Sequence, residues 1–397
     1  MVRMGSEWAQ RGGMPQGLAF CTLQLQAAVP PNCSFTARVV VCFGVFRSRG
    51  APRAPAFGVD RSGPAFTLRV VRQSFVVVRR TCWAWTLAAG LAGAVHAGEG
   101  MMLREVDGRV RVEINGELFT EYHYQNVSRP FLYPVLGPGG LSMTRNWPMK
   151  EAPGEERDHP HHRSLWWAHG DVNGVDFWSE STRAGKTVHE AFVERTADTN
   201  FAVLHTRNRL EDRDGRVVGR VEFKITFHRG DAGARWLDWE TLIFASEGEL
   251  KLGDTKEGTM AIRLNETLRL KPNKENAGQP TGHILTSTGL RDGDTWGKRA
   301  AWVDYFGPVE GRTMGVAIFD HPRNPRHPTW WHVRDYGLFA ANPFGIHDFE
   351  KKPPGAGDLV IPANQVIAFR YRFVFHRRDT VEGSVAERFA AYVKEQP

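Results

Sequence analysis

Beyond Cys82 the 397-residue chain has no cysteine at all. Cys21, Cys33, Cys42 and Cys82 all lie in the first 82 residues, so residues 98–397 hold no disulfide framework, no cysteine-ligated zinc and no thiol nucleophile. Stability there has to come from a large apolar core, which 300 residues permit. Lysine is missing from residues 1–97, where only Glu7 and Asp60 oppose eleven arginines. The net charge of +7 therefore belongs to one end, and residues 98–397 carry 40 basic against 42 acidic side chains. The cation excess that neutralises a phosphate backbone is absent from that part, which removes nucleic acid as an expected partner. Long apolar runs are scarce as well. After residue 97 none reaches the length that spans a bilayer, so an integral membrane protein is not expected.

One apolar run precedes that point. Residues 71–97 read "VRQSFVVVRRTCWAWTLAAGLAGAVHA", with Arg79 and Arg80 ahead of an apolar Cys82 to Val95 and a small-residue Val95-His96-Ala97 ending. This is the pattern of a signal peptide, and a buried helix is the rival reading. It implies a periplasmic or secreted product. Residues 1–70, rich in Arg, Ala, Gly and Pro without periodicity, then read as a disordered upstream extension, and residues 98–397 as a single β-sandwich domain.

What fills residues 98–397 is alternation of apolar and polar residues. "RVRVEI" and "ELFTEYH" flank Asn115-Gly116, a strong hairpin signal. "FAVLHTRNRL" and "VVGRVEFKITF" flank turn residues Asp212 to Gly215. Further alternating runs cover 235–244, 259–270, 314–319 and 365–376. "SVAERFAAYVKE" near the C-terminus has helical spacing. The expectation is an all-β fold: a large antiparallel β-sandwich with a short C-terminal helix, a jelly roll or barrel being the competitor.

Unusual residues gather between the strands. "DHPHHRSLWWAHGDVNGVDFW" (158–178) holds four histidines, three aspartates and three tryptophans. Pro160 favours an extended backbone at His159, which would put His159 and His161 on one face and His162 on the other unless a turn intervenes. Such spacing could present imidazoles to a divalent metal, with His169 or Asp176 completing the set, or it could be a polar loop. A second group, "GDTKEGTMAIRL", offers Asp254, Lys256 and Glu257, and also reads as an ordinary charged turn. A third, "DHPRNPRHPTWWHVRDYG", carries His321, His327 and His332. A fourth and fifth, "AAWVDYFG" and "AANPFG", supply Trp302, Asp304, Tyr305, Asn342 and Phe344. Ten tryptophans after residue 97, several beside Asp or Asn, suit the apolar faces and hydroxyl rim of a sugar.

The blocks "RPFLYPVLGPGG", "DHPHHRSLWWAHGDVNGVDFW", "GDTKEGTMAIRL" and "DHPRNPRHPTWWHVRDYGLFAANPFG" together resemble the bacterial family labelled methane oxygenase PmoA, whose members tend to accompany sugar-catabolic and sugar-oxidoreductase genes. The resemblance places His159, His162, Arg163, His169, Asp176, Lys256, Glu257, His321, Asn342 and Phe344 at motif positions, and leaves His161 outside them. The layout is also similar to galactose-mutarotase-like super-sandwiches, which implies an acid histidine and a base carboxylate meeting over a sugar ring. The leading expectation is an exported carbohydrate-active enzyme, an epimerase, lyase or hydrolase. His162 or His169 would act as acid and Glu257 as base, with His321 a further catalytic candidate. His159, Arg163, Trp166, Asp176, Lys256, Trp302, Asp304, Tyr305, Asn342 and Phe344 would bind substrate, with Arg163, Lys256, Asp304 and Asn342 holding hydroxyls or a carboxylate. This chemistry requires no cofactor. The alternatives are a non-catalytic glycan-binding protein, or a metal-dependent enzyme built on His159 to His169.

Overall fold

The computed structural model describes residues 21–24, 38–41, 99–279 and 281–395. The upstream extension over 1–70 and the signal peptide over 71–97 lie outside the described residues, apart from strands β1 (Cys21–Gln24) and β2 (Arg38–Val41), which pair antiparallel. These two belong to a unit spanning Met1–Thr86; the remaining strands belong to Leu87–Pro397.

In that second unit, β3 (Met101–Val106), β4 (Arg109–Ile114), β5 (Glu117–His123), β6 (Phe131–Val135) and β7 (Leu165–His169) run in sequence along one sheet. Asn115 and Gly116 both take positive φ, +52° and +80°, the paired left-handed conformation that closes a two-residue hairpin between β4 and β5. The chain then builds a second sheet with β8 (Lys186–Ala197), β9 (Phe201–Glu211), β10 (Val217–His228) and β11 (Ala234–Phe244). After β12 (Leu250–Leu252) it returns to the first sheet as β13 (Gly258–Arg263). It crosses again for β14 (His283–Thr286), β15 (Trp302–Val309) and β16 (Arg312–Asp320), then back for β17 (Trp330–Val333) and β18 (Leu338–Asn342). β19 (Leu359–Ile361) pairs with β12, and β20 (Val366–Arg377) enters the second sheet. The first sheet has the order β17-β18-β13-β7-β6-β5-β4-β3 and the second β14-β15-β16-β20-β11-β10-β9-β8. The pairings are antiparallel, as expected for a large antiparallel β-sandwich.

Alternation along the strands decides what is buried between the sheets. Val110, Val112 and Ile114 point inward from β4, and Leu237, Trp239 and Ile243 from β11. Val316 and Ile318 come from β16, and Phe369, Tyr371, Phe373 and Phe375 from β20. Residues of both sheets join in one contiguous core, where each large apolar side chain contributes about 1.5–3 kcal/mol relative to exposure. The opposite face of the first sheet carries a smaller cluster: Phe131, Trp166, Ala168, Trp178, Ala261, Leu338 and Ala340, edged by Tyr133 and Tyr336.

Two boundaries differ from the sequence expectation. The strand expected over 259–270 stops at Arg263, because the Asn265 side chain accepts from the Thr267 amide and starts a 3-10 turn at Glu266–Leu268. A short helix, Ile346–Glu350, follows Gly345 where only a turn was read. The C-terminal helix is as expected, Val385–Glu395, with Val385, Phe389 and Tyr392 on one face against Phe319. Among the described residues no helix is long and apolar enough to cross a membrane.

Candidate functional site

β7 lies antiparallel to β13, with His169 opposite Gly258 and Trp166 opposite Ala261. The "DTKEG" loop, distant in sequence, therefore meets the His169–Gly170 end of β7, while His159 to His162 precede its other end, beside Arg263. The Gly170 amide donates to the Glu257 carbonyl at 2.7 Å. A Cβ at residue 170 would stand 2.9 Å from the Glu257 Cβ, so the two loops approach this closely only because residue 170 is glycine.

The histidines themselves are arranged by a turn, not by an extended strand. The His162 amide donates to the His159 carbonyl at 3.0 Å across Pro160 and His161, and His159 takes φ +41°. This overturns the extended pairing: His159 and His162 share a face, their rings stacked 4.6 Å apart at 10°. The stack continues to Tyr336 beyond His159 (5.0 Å, 8°) and to Trp166 beneath His162 (5.4 Å, 23°). His161 meets His162 edge-on at 4.5 Å.

Behind the stack is a buried charge network. Arg145 and Arg263 are fully buried, and both donate to Asp158, Arg263 at 3.0 Å. His159 Nδ1 is 2.6 Å from the same carboxylate. Burial alone would raise the Asp158 carboxyl, but the His159 hydrogen bond and the charges of Arg263 and Arg145 hold it well below the usual carboxylate range. Arg263 also donates to His162 Nδ1 at 3.1 Å, so the neutral His162 ring carries its proton on Nε2. Burial, reinforced by Arg263 and the neighbouring histidines, pushes His162 well below the ordinary histidine value. His161 is pushed down to about 4 by burial and then by Arg129. Its ring makes no hydrogen bond among the described residues.

In front of the stack lies a cleft of about 400 Å³, lined by His159, His161, His162, Gly170, Asp176, Trp178, Ser179, Glu257 and Tyr336. Asp176 is held in place by its own loop: Oδ1 accepts from the Trp178 and Ser179 amides at 2.7 and 3.0 Å, and Oδ2 accepts from the Ser179 hydroxyl. Glu257 is half-exposed, with Lys256 Nζ at 3.2 Å from its Oε1.

Four of the expected site residues thus line this cleft: His159, His162, Asp176 and Glu257. The others are placed elsewhere. His169 shares the inward parity of Leu165 and Trp167. Its Nε2 faces the Gly253 carbonyl at 2.9 Å, its ring packs on Phe344, and burial pushes it down to about 4. His321 accepts from the Arg323 amide and packs edge-on against Tyr392 of the C-terminal helix. Arg163 is spent on a two-pronged pair with Glu180, at 2.5 and 2.7 Å. Trp166 is the buried floor under His162, and Lys256 flanks Glu257 outside the lining. Trp302, Asp304 and Tyr305 belong to the other sheet. Asp304 is fully buried against His376 and Thr380 at 2.9 and 2.6 Å, and the Tyr305 hydroxyl accepts from the Leu270 amide. Asn342 spans the Glu257 loop, donating to the Thr255 carbonyl and accepting from the Phe344 and Gly345 amides. Phe344 is buried in the main core. The sequence reading left His161, Gly170, Ser179 and Tyr336 out of the wall and marked Trp178 only as a tryptophan near Asp176; that pairing and the surplus histidine of the run were the available signals.

Among the described residues no group of three or more His, Cys, Asp or Glu is placed to share a metal ion. The ring stack explains this, since His159 and His162 lie in parallel planes with their Nδ1 atoms committed to Asp158 and Arg263.

Fold and site define an antiparallel β-sandwich that carries an aromatic, imidazole-lined cleft on one outer face. The chain belongs to DUF6807, a family of unknown function whose model matches residues 109–390, and not to a family named for methane oxygenation. No curated protein matches it. Among solved structures, a galactose mutarotase related enzyme from Lactobacillus acidophilus aligns at 9% identity over 70% of this chain and 97% of that one, with a TM-score of 0.25. At that score the likeness carries no argument about this chain.

Proposed function

We propose that this protein is an exported carbohydrate-active enzyme that works by proton transfer. The observation that carries the reading is that Glu257, His161 and His162 line one aromatic cleft of about 400 Å³, a volume within the range of small-molecule sites. The Glu257 carboxylate takes the proton from a sugar carbon beside a carbonyl. The electron pair of that C–H bond moves to the carbonyl oxygen, where the His162 Nε2 proton stabilises the enolate by hydrogen bonding. His162 is neutral, so it acts as a donor and not as an imidazolium acid. Protonation of the opposite face by solvent, with Glu257 giving its proton up to solvent, yields an epimer, and departure of a β-substituent that takes up the Glu257 proton yields an elimination product. Glycoside hydrolysis is less well supported, because it ordinarily needs two working carboxylates and both oxygens of Asp176 are committed to its loop.

Export is supported by the arginine pair and apolar run of residues 71–97. N-terminal sequencing of the protein from its native source should find a start near Gly98, and a mature chain still containing Pro30 would defeat it. For the chemistry, keto-sugars in deuterated solvent are followed by NMR. Wild type should exchange the carbon-bound proton, and Glu257→Gln should lose about 10²–10⁴-fold in rate while still binding sugar. Binding without exchange or turnover by the wild type would leave a glycan-binding protein, and an unimpaired Glu257→Gln would remove Glu257 from the mechanism.

A further inference from the structure

On the carbohydrate reading above, we infer that the cleft selects uncharged sugars and discriminates against those bearing a carboxylate, phosphate or sulfate. No lysine or arginine is among the residues that line it. The cations nearby each already have a partner. Arg163 holds Glu180 with two nitrogens, and Arg263 is shared between Asp158 and His162. Arg129 donates to the carbonyls of His161 and Ser179 at 3.2 and 3.0 Å, and Lys256 lies 3.2 Å from Glu257. Two of the three imidazoles supply no positive charge either, because burial and the arginines behind them keep His161 and His162 neutral near pH 7, and the third, His159, has its Nδ1 2.6 Å from Asp158.

The lining does present two carboxylates, Asp176 and Glu257. A ligand anion would leave water, find no charge-assisted donor, and face two groups of its own sign. A hydroxyl meets the opposite situation. The His161 ring nitrogens and the Tyr336 hydroxyl make no hydrogen bond among the described residues and are available to it, as are the carboxylate oxygens of Glu257. The aromatic wall formed by Trp178, Tyr336 and the stacked histidines suits the C–H faces of either kind of sugar, so charge is the discriminating property.

The test is titration calorimetry of the full chain at pH 7 with sugars matched in stereochemistry, glucose against glucuronate and galactose against galacturonate, each also as its methyl glycoside. The ligand-induced change in intrinsic tryptophan fluorescence that is lost in Trp178→Phe gives an independent readout. The neutral member of at least one pair should bind about tenfold or more tightly than its uronate. The preference should narrow as salt rises, because the repulsion from Glu257 at the cleft mouth is screened. A uronate that binds as well as or better than its neutral partner overturns this inference and leaves the carbohydrate reading standing. Failure of every sugar, neutral and charged, to bind overturns the carbohydrate reading itself.

Discussion

Replacing Asp158 by asparagine tests the charge network that holds the cleft's histidines. Asp158 is the shared acceptor for Arg145, Arg263 and His159, and both arginines are fully buried while 29% of the aspartate side chain is exposed. Glu266 offsets only part of the loss, since its Oε1 is at ion-pair distance, 3.7 Å from Arg145 and 3.9 Å from Arg263, without a hydrogen bond to either. Breaking a buried ion pair by removing one partner costs about 3–5 kcal/mol, and the partial exposure of Asp158 argues for the lower end, about 3 kcal/mol. At roughly 2–4 °C per kcal/mol for a domain of this size, the melting temperature falls by roughly 6–12 °C. The assay is urea unfolding, with Asp158→Asn, Arg263→Met and the double variant forming a cycle. The double variant should lose less than the sum of the single ones, because removing Arg263 relieves one stranded charge. The wild type should also carry an acid limb. A carboxyl held below its unfolded value contributes stability above about pH 4 that disappears as pH falls below it, and Asp158→Asn should lack that limb. A loss under about 1 kcal/mol, the worth of an exposed pair, would refute the reasoning.

Two further outcomes follow from the same geometry. His169 and His332 are buried and pushed down to about 4 and about 3, chiefly by burial. Their folded values lie below the unfolded one near 6.5, so the stability they contribute is full above that pH and is lost as pH falls, at up to about 1.4 kcal/mol per unit each. Burial would lower His376 as well, but Asp304 at 2.9 Å raises it, so its contribution has the opposite sign and offsets part of the fall. A urea midpoint that is flat from pH 7 to pH 5 would contradict this. Asn342→Ala strands the Thr255 carbonyl and the Phe344 and Gly345 amides, at about 1–3 kcal/mol, and loosens the loop that aims Glu257. Turnover should fall more than sugar affinity; an unchanged kcat would remove Asn342 as a positioning residue.

Legibility in the sequence followed exposure. β4, β5, β9, β10, β11 and β20 have one face toward the core and show the period of two. β7, β17 and β18 are buried on both faces, so "LWWAH", "WWHV" and "LFAAN" show no alternation and were read as loop motifs. In the site, the residues that meet are those on the pairing of β7 with β13, which no local pattern announces. Asp304 and Tyr305 drew attention for their chemistry, but His376, Thr380 and Leu270 consume their polar atoms from far along the chain. His161 was discounted as a surplus histidine. The turn that directs its ring toward the cleft depends on Asp158 being anchored by Arg145 and Arg263, contacts invisible in the run itself.

β20 joins β16 to β11, and so links the two halves of its sheet. During synthesis, β8 to β11 and β14 to β16 must wait as separate ribbons, each with an unpaired edge, until residues 366–377 have emerged. A nascent chain cut off before Val366 keeps both edges open and lacks Phe369, Tyr371, Phe373 and Phe375 from the inter-sheet core. Closure of this sheet therefore waits for residues close to the C-terminus, and a truncation before Val366 would offer two strand edges to pairing with other chains.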